Sequence, residues 1–145
     1  MKYFTIKELC KSSTADRLGI DNSPNSEVIS NLKKLVEFIL DPLREKYGKP
    51  IYVNGGYRCP ALNKAVNGSK TSQHMQGLAV DITTRSIAGN KILFNLIQEL
   101  KLPFDRLIDE QKFKWVHVSF SEKPRKQILH LWVKELPSEE PYMRL

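Results

Sequence analysis

The chain has 145 residues, 41% of them hydrophobic and 27% charged, which fits one soluble globular domain spanning residues 1–145 with a single core. Its two cysteines, Cys10 and Cys59, lack paired metal spacing, which argues against a disulfide framework and a zinc–thiolate site. The net charge of +7 comes from dispersed positions such as Lys33-Lys34, Lys112, Lys114 and Lys123 to Lys126, with no nucleic-acid motif beside them, so a solvated basic surface is expected and no nucleic-acid partner. The first eight residues are too charged for a signal peptide and no apolar run is long enough to span a membrane; synthesis in the cytoplasm is the expectation.

In chain order, Thr5 followed three residues later by Glu8 has the capping-box pattern, so one or two helical turns are expected there, with Tyr3, Phe4 and Leu9 packing inward. Ser12 to Thr14 and Asn22 to Asn25 read as loops. Residues 26–47 give the clearest helix: Leu32, Leu35, Val36, Ile39, Leu43 and Tyr47 recur at helical spacing. Ser26 is the expected cap, Gly48 and Pro50 the stop, and Pro42 should kink or divide the helix near Leu40.

Ile51 to Val53 reads as a short strand ending in the turn Asn54-Gly55-Gly56, and Pro60 starts a short helix through Val66. A polar loop, 67–71, precedes a strand in which Leu78, Val80 and Ile82 alternate with Ala79 and Asp81. A loop over 83–89 and a helix over 90–100 follow. Residues 104–108 lead into a strand, with 115–120 its antiparallel partner across a turn at 110–114. Residues 128–133 offer a further strand or a terminal helix, and the last ten read as a tail. The alternation predicts an α+β fold: a small antiparallel sheet bearing Asp81 and His117, with helices packed on one side.

The chemistry concentrates in Ser72-Gln73-His74-Met75-Gln76-Gly77-Leu78-Ala79-Val80-Asp81. An imidazole and a carboxylate stand seven residues apart, and Gly77 lets the backbone turn sharply between them. Both are ligand types suited to Zn²⁺. In Trp115-Val116-His117-Val118-Ser119-Phe120 the alternation puts Trp115, His117 and Ser119 on one face. His74, Asp81 and His117 would leave a fourth position open for water, the layout of a catalytic metal. A single strand histidine is more often a structural hydrogen-bonding residue, and His130 reads that way; the combined pattern is more specific than its parts. Such a site favours Zn²⁺ but accepts other divalent ions. Arg58 carries a planar fork suited to a carboxylate, although taken alone it reads as a structural salt bridge. Ser72 reads either as a local serine turn or as a group that orients the ligand loop or bonds substrate.

The pattern Ser72-x-His74-x-x-Gly77-x-Ala79-x-Asp81, followed by Trp115-x-His117, resembles the M15 peptidases, the zinc D-Ala-D-Ala carboxypeptidase and endolysin family. Gly56-Tyr57-Arg58-Cys59-Pro60-Ala61-Leu62-Asn63 is similar to that family's Gly-Tyr-Arg-Ser-Pro-x-x-Asn segment. The resemblance covers roughly residues 50–120, the catalytic heart. It implies a hedgehog/D-Ala-D-Ala-peptidase-like fold, Zn²⁺ on His74, Asp81 and His117, and Arg58 and Ser72 at the substrate. The implied substrate is a peptidoglycan stem peptide, cut by a carboxypeptidase or an endopeptidase. A monomer acting at the bacterial cell wall, released by another agent as a phage or prophage lysis product is, agrees with the missing signal.

The family commonly places a Glu or His shortly before the second histidine; here Lys114 and Lys112 stand there, and neither serves as a base. Leu107-Ile108-Asp109-Glu110 is similar to the Leu-Ile-x-Glu of some phage-type members. Glu110 is therefore the expected base, activating water and then protonating the departing amine, with Asp109 as the other candidate. The competing reading is a non-catalytic zinc-bound wall-binding or signalling module on the same fold.

Overall fold

The computed structural model describes residues 1–132. Two short helices open the chain, α1 (Ile6–Cys10) and α2 (Ser13–Leu18). Thr5 caps the first, its hydroxyl accepting from Glu8 N at 3.1 Å, and Ser12 caps the second. Helix α3 (Ser26–Leu35) is capped one residue before the expected Ser26, because the Asn25 side chain takes the Val28 N–H.

The run from 26 to 47 is divided near Leu40, as Pro42 predicts, by a widened turn and without a gap. A widened π turn, Val36–Leu40, joins α3 to α4 (Asp41–Tyr47), and Asp41 N–H bonds back to the Val36 carbonyl, five residues earlier. Proline can give no hydrogen bond and its ring crowds the carbonyl four residues back; the wider turn accommodates both effects. Gly48, left-handed at φ 75°, ends the helix as expected.

The remaining elements are β1 (Tyr52–Gly55), α5 (Pro60–Ala65), a 3₁₀ turn at Gln73–Gln76, β2 (Ala79–Thr83), α6 (Ile87–Glu99), β3 (Phe104–Glu110), β4 (Trp115–Phe120) and β5 (Gln127–Leu131). Helix α6 begins earlier than its apolar periodicity suggests, because Ser86 caps it by accepting from Gly89 N. The sheet order is β1-β2-β4-β3-β5. The first four strands pair antiparallel, and β5 adds to β3 in parallel. The segment expected as strand or helix is thus a strand as far as Leu131; Val133 and the predicted tail lie outside the described residues.

Paired residues of neighbouring strands share a face, and alternate residues change face. Val80, Ile82, Leu107, Val116 and Val118 all point to one face and are wholly buried. Helices α3 and α6 pack on the sheet and α4 on α6, joining those side chains with Leu32, Leu35, Ile39, Leu43, Leu93 and Ile97 in one core. The other face carries Asp81, Trp115, His117 and Ser119. The fold is α+β as expected.

Candidate metal centre

Asp81 on β2 and His117 on β4 are direct cross-strand partners, so their side chains leave the sheet side by side. His117 Nδ1 lies 3.0 Å from Asp81 Oδ1. His74 arrives from the 3₁₀ turn, and its Nε2 lies 3.4 Å from Asp81 Oδ2. The two imidazoles stand edge to face with centroids 5.1 Å apart. One ligand atom from each of the three residues falls within 4.8 Å of the others, and all three residues are buried. Sequence spacing named these three side chains; the fold brings them to one point.

The turn carrying His74 is held from several sides. Ser72 Oγ accepts from His74 N at 3.2 Å, and Gly77, left-handed at φ 74°, closes the turn. A Cβ on Gly77 would lie 2.9 Å from both Cγ1 and the carbonyl of Val28, so only glycine fits against α3. The Gly56-Tyr57-Arg58 segment grips the same turn. Arg58 N donates to the His74 carbonyl at 3.0 Å, and the Gly56 carbonyl receives His74 Nδ1 at 2.7 Å. Gly56 is itself pressed on α1, where an added Cβ would sit 2.2 Å from the Leu9 carbonyl.

The contact with Gly56 fixes the imidazole's chemistry. A carbonyl only accepts, so the His74 proton sits on Nδ1. Burial, opposed by Asp81 and reinforced by Arg58 and His117, pushes the pKa of His74 down to about 4. Nε2 is then a bare lone pair, buried and without a hydrogen-bond partner among the described residues. It faces a carboxylate oxygen. Two acceptors confronting one another away from water are unfavourable unless a cation lies between them. The two nitrogens and one carboxylate therefore fit a divalent metal of the zinc class.

A sequence profile of the peptidase M15 family matches residues 2–119. The chain belongs to that family. No curated protein matches it. Membership makes the chain a peptidase by family, of a kind that is generally metal-dependent, with a peptide as its substrate.

In this M15 chain the other expected site residues sit around the triad. Arg58 lines a cleft of about 720 Å³, together with Tyr52, Asp81 and Trp115. Its Nη2 donates to Ser72 Oγ at 3.1 Å, which ties the arginine to the turn bearing His74. Ser72 thus orients the ligand turn. A second, smaller pocket of about 250 Å³ is lined by Thr71, Ser72, Gln73, His74, Arg106, His117 and Arg125.

The two candidate bases part company. Ile108 pairs with His117 and Glu110 with Trp115, so Glu110 shares the face of the triad, one alternation along from His117. It is 1% exposed, and its Oε2 accepts from Trp115 Nε1 at 2.7 Å. Asp109 pairs with Val116 and points to the opposite face. There it is wholly buried and accepts from Phe113 N, Trp132 Nε1 and the imidazole Nδ1 of His130. Asp109 shapes the β3–β4 turn and anchors β5, away from the triad. His130 is its partner and stands outside the ligand cluster.

The N-terminal segment, read from sequence as packing alone, also builds the site. Asn22 donates to the Cys10 and Tyr57 carbonyls, each at 2.9 Å, and accepts from Cys59 N at 2.7 Å. It staples the Arg58 loop to α1. In sequence Asn22 is one of several loop-forming polar residues, and nothing local sets it apart.

Proposed function

We propose that the protein is a zinc-dependent peptidase that cleaves peptidoglycan stem peptides, as a D-Ala-D-Ala carboxypeptidase or an endolysin-type endopeptidase. The observation that carries this reading is the buried His74–Asp81–His117 cluster, in which the His74 Nε2 lone pair confronts Asp81 Oδ2 at 3.4 Å. Family membership supplies the peptide substrate. Zinc held by these three residues would lower the pKa of a water and polarise the scissile carbonyl.

The chain's own residues do the rest. Glu110 takes the proton of the attacking water and returns it to the departing amine. The indole N–H of Trp115 holds the Glu110 carboxylate in one orientation. Arg58 grips a substrate carboxylate with its fork, steadied by Ser72. The enzyme acts as a monomer at the bacterial wall. Among the described residues no helix is long and apolar enough to cross a membrane.

Metal content and activity on purified peptidoglycan test this together. The expected result is one zinc per chain, release of new amino groups by the wild type, abolition by a chelator, and restoration by added Zn²⁺. Bound zinc without any cleavage by the wild type would instead indicate a binding module. Absence of any bound divalent ion would overturn the metal assignment.

A further inference from the structure

Strand β3 is irregular beside the metal centre. Phe104 pairs with Phe120 and Leu107 with Val118, so three steps along β3 match two along β4. Both Phe104 and Leu107 lie in the core, and the register shift falls on the two residues between them, buried Asp105 and half-buried Arg106. An irregularity of this kind re-aims side chains next to a site. Here it sends an acid and a base toward the same rim.

Their fates differ. Asp105 is fully committed. Arg125 Nε and Nη2 reach its two oxygens at 3.0 and 2.7 Å, Arg125 N donates at 3.0 Å, and Gln73 Nε2 donates at 3.0 Å. Arg106 has nothing comparable. Its backbone N–H bonds Ser119 Oγ, but its guanidinium makes no hydrogen bond or ion pair among the described residues, and its Nε is buried without a partner. The same side chain lines the 250 Å³ pocket with His74 and His117. A half-buried guanidinium left unpaired beside a metal centre calls for an anion. Asp105 cannot supply one, because Arg125 neutralises it.

We infer that Arg106 is a second carboxylate-recognition residue, reading an acidic group of the substrate in the pocket it lines with His74 and His117, separate from the cleft that Arg58 lines. This rests on the peptidase reading above. The substrate class becomes an acidic peptide with a carboxylate near the scissile bond on the Arg106 side. A stem peptide offers two sources, a terminal carboxylate and an internal one, and each can be converted to a primary amide.

The test uses the full chain as wild type, Arg106→Gln and Arg106→Lys, with one synthetic stem pentapeptide in three forms: all acids, terminal amide, internal amide. Cleavage gives kcat/KM, and titration into the Glu110→Gln background gives binding of the same peptides without turnover. Metal content is measured for each variant. The wild type is expected to favour the all-acid form over one of the two amides by about tenfold to a hundredfold, the range of one charge-assisted pair. Arg106→Gln loses that preference with unchanged metal content, and Arg106→Lys keeps part of it. Loss of the preference against the terminal amide identifies a carboxypeptidase-type contact; loss against the internal amide identifies a side-carboxylate contact. If Arg106→Gln keeps the full preference in both cleavage and binding, the inference is wrong. If the wild type cleaves nothing, the peptidase reading fails, while the binding comparison still decides the role of Arg106.

Discussion

His74 is the residue on which the centre turns. Its proton is committed to Gly56, its ring is neutral at physiological pH, and its second nitrogen meets a carboxylate across a gap suited to a cation. Replacement by alanine should remove bound metal and with it all activity, read by metal analysis and by amino-group release. The depressed pKa also has a stability consequence for metal-free protein. In the unfolded chain the imidazole has its ordinary pKa of about 6.5; in the folded protein it lies at about 4. Between those values the unfolded state binds more protons, so stability is fully present above the higher value and falls as pH drops toward the lower one. Urea unfolding of metal-free protein should therefore show a lower midpoint at pH 5 than at pH 7, and a midpoint unchanged or higher at pH 5 would contradict this. The neighbouring carboxylates give a sharper contrast. Glu110→Gln should lower kcat by about 10²- to 10⁴-fold while metal content stays at one per chain. Asp109→Asn should instead lower the melting temperature, since it disturbs a buried acceptor of three donors, and leave kcat much closer to wild type.

At the scale of elements, the site is made by three pieces that meet from distant parts of the chain. The β2–β4 pair presents Asp81 and His117, the 3₁₀ turn presents His74, and the Gly56–Arg58 loop locks that turn. Two glycines make the close approach possible. Gly77→Ala would place a methyl against Val28 in a left-handed backbone, and a loss of about 1–3 kcal/mol is expected from chemical denaturation. Asn22→Ala removes three hydrogen bonds between α1 and the Arg58 loop; a loss of similar size is expected, with weakened metal retention in a chelator competition. A variant that melts normally and holds metal as tightly as wild type would show that the staple is dispensable. Most helical elements were legible because their signals are local: the 3.6-residue periodicity over 26–47, the Thr5 cap, the Gly48 stop; α2 was not, since Ser12 to Thr14 read as a loop although Ser12 caps that helix. The π turn before Pro42 was only half legible. Proline announces a disturbance, but whether the helix breaks or widens depends on what α3 and α4 pack against.

For the whole molecule, one core beneath the sheet leaves the opposite face to the candidate metal centre, whose residues line two hollows. If the protein acts at the bacterial wall as proposed, its net charge of +7 would favour approach to that anionic surface. Binding to purified sacculi should weaken as salt rises, because exposed charges separated by more than a Debye length are screened; salt-independent sedimentation would show that the surface charge plays no part.

The sequence by itself determined the ligand types, their alternation on β2 and β4, the Thr5 cap and the Gly48 stop, and the α+β class, because each depends on residues within a turn or two of one another. Only the tertiary structure decided which of Asp109 and Glu110 faces the triad, since that follows from the register of β3 against β4 and the turn of residues 111–114 between them. It also decided that β5 joins in parallel, that Asn22 belongs to the site, and that Arg106 stands beside the metal centre without a partner among the described residues. All of these are long-range pairings. A one-residue slip in register exchanges the two faces of a strand, and no local signal records which register the packed core selects.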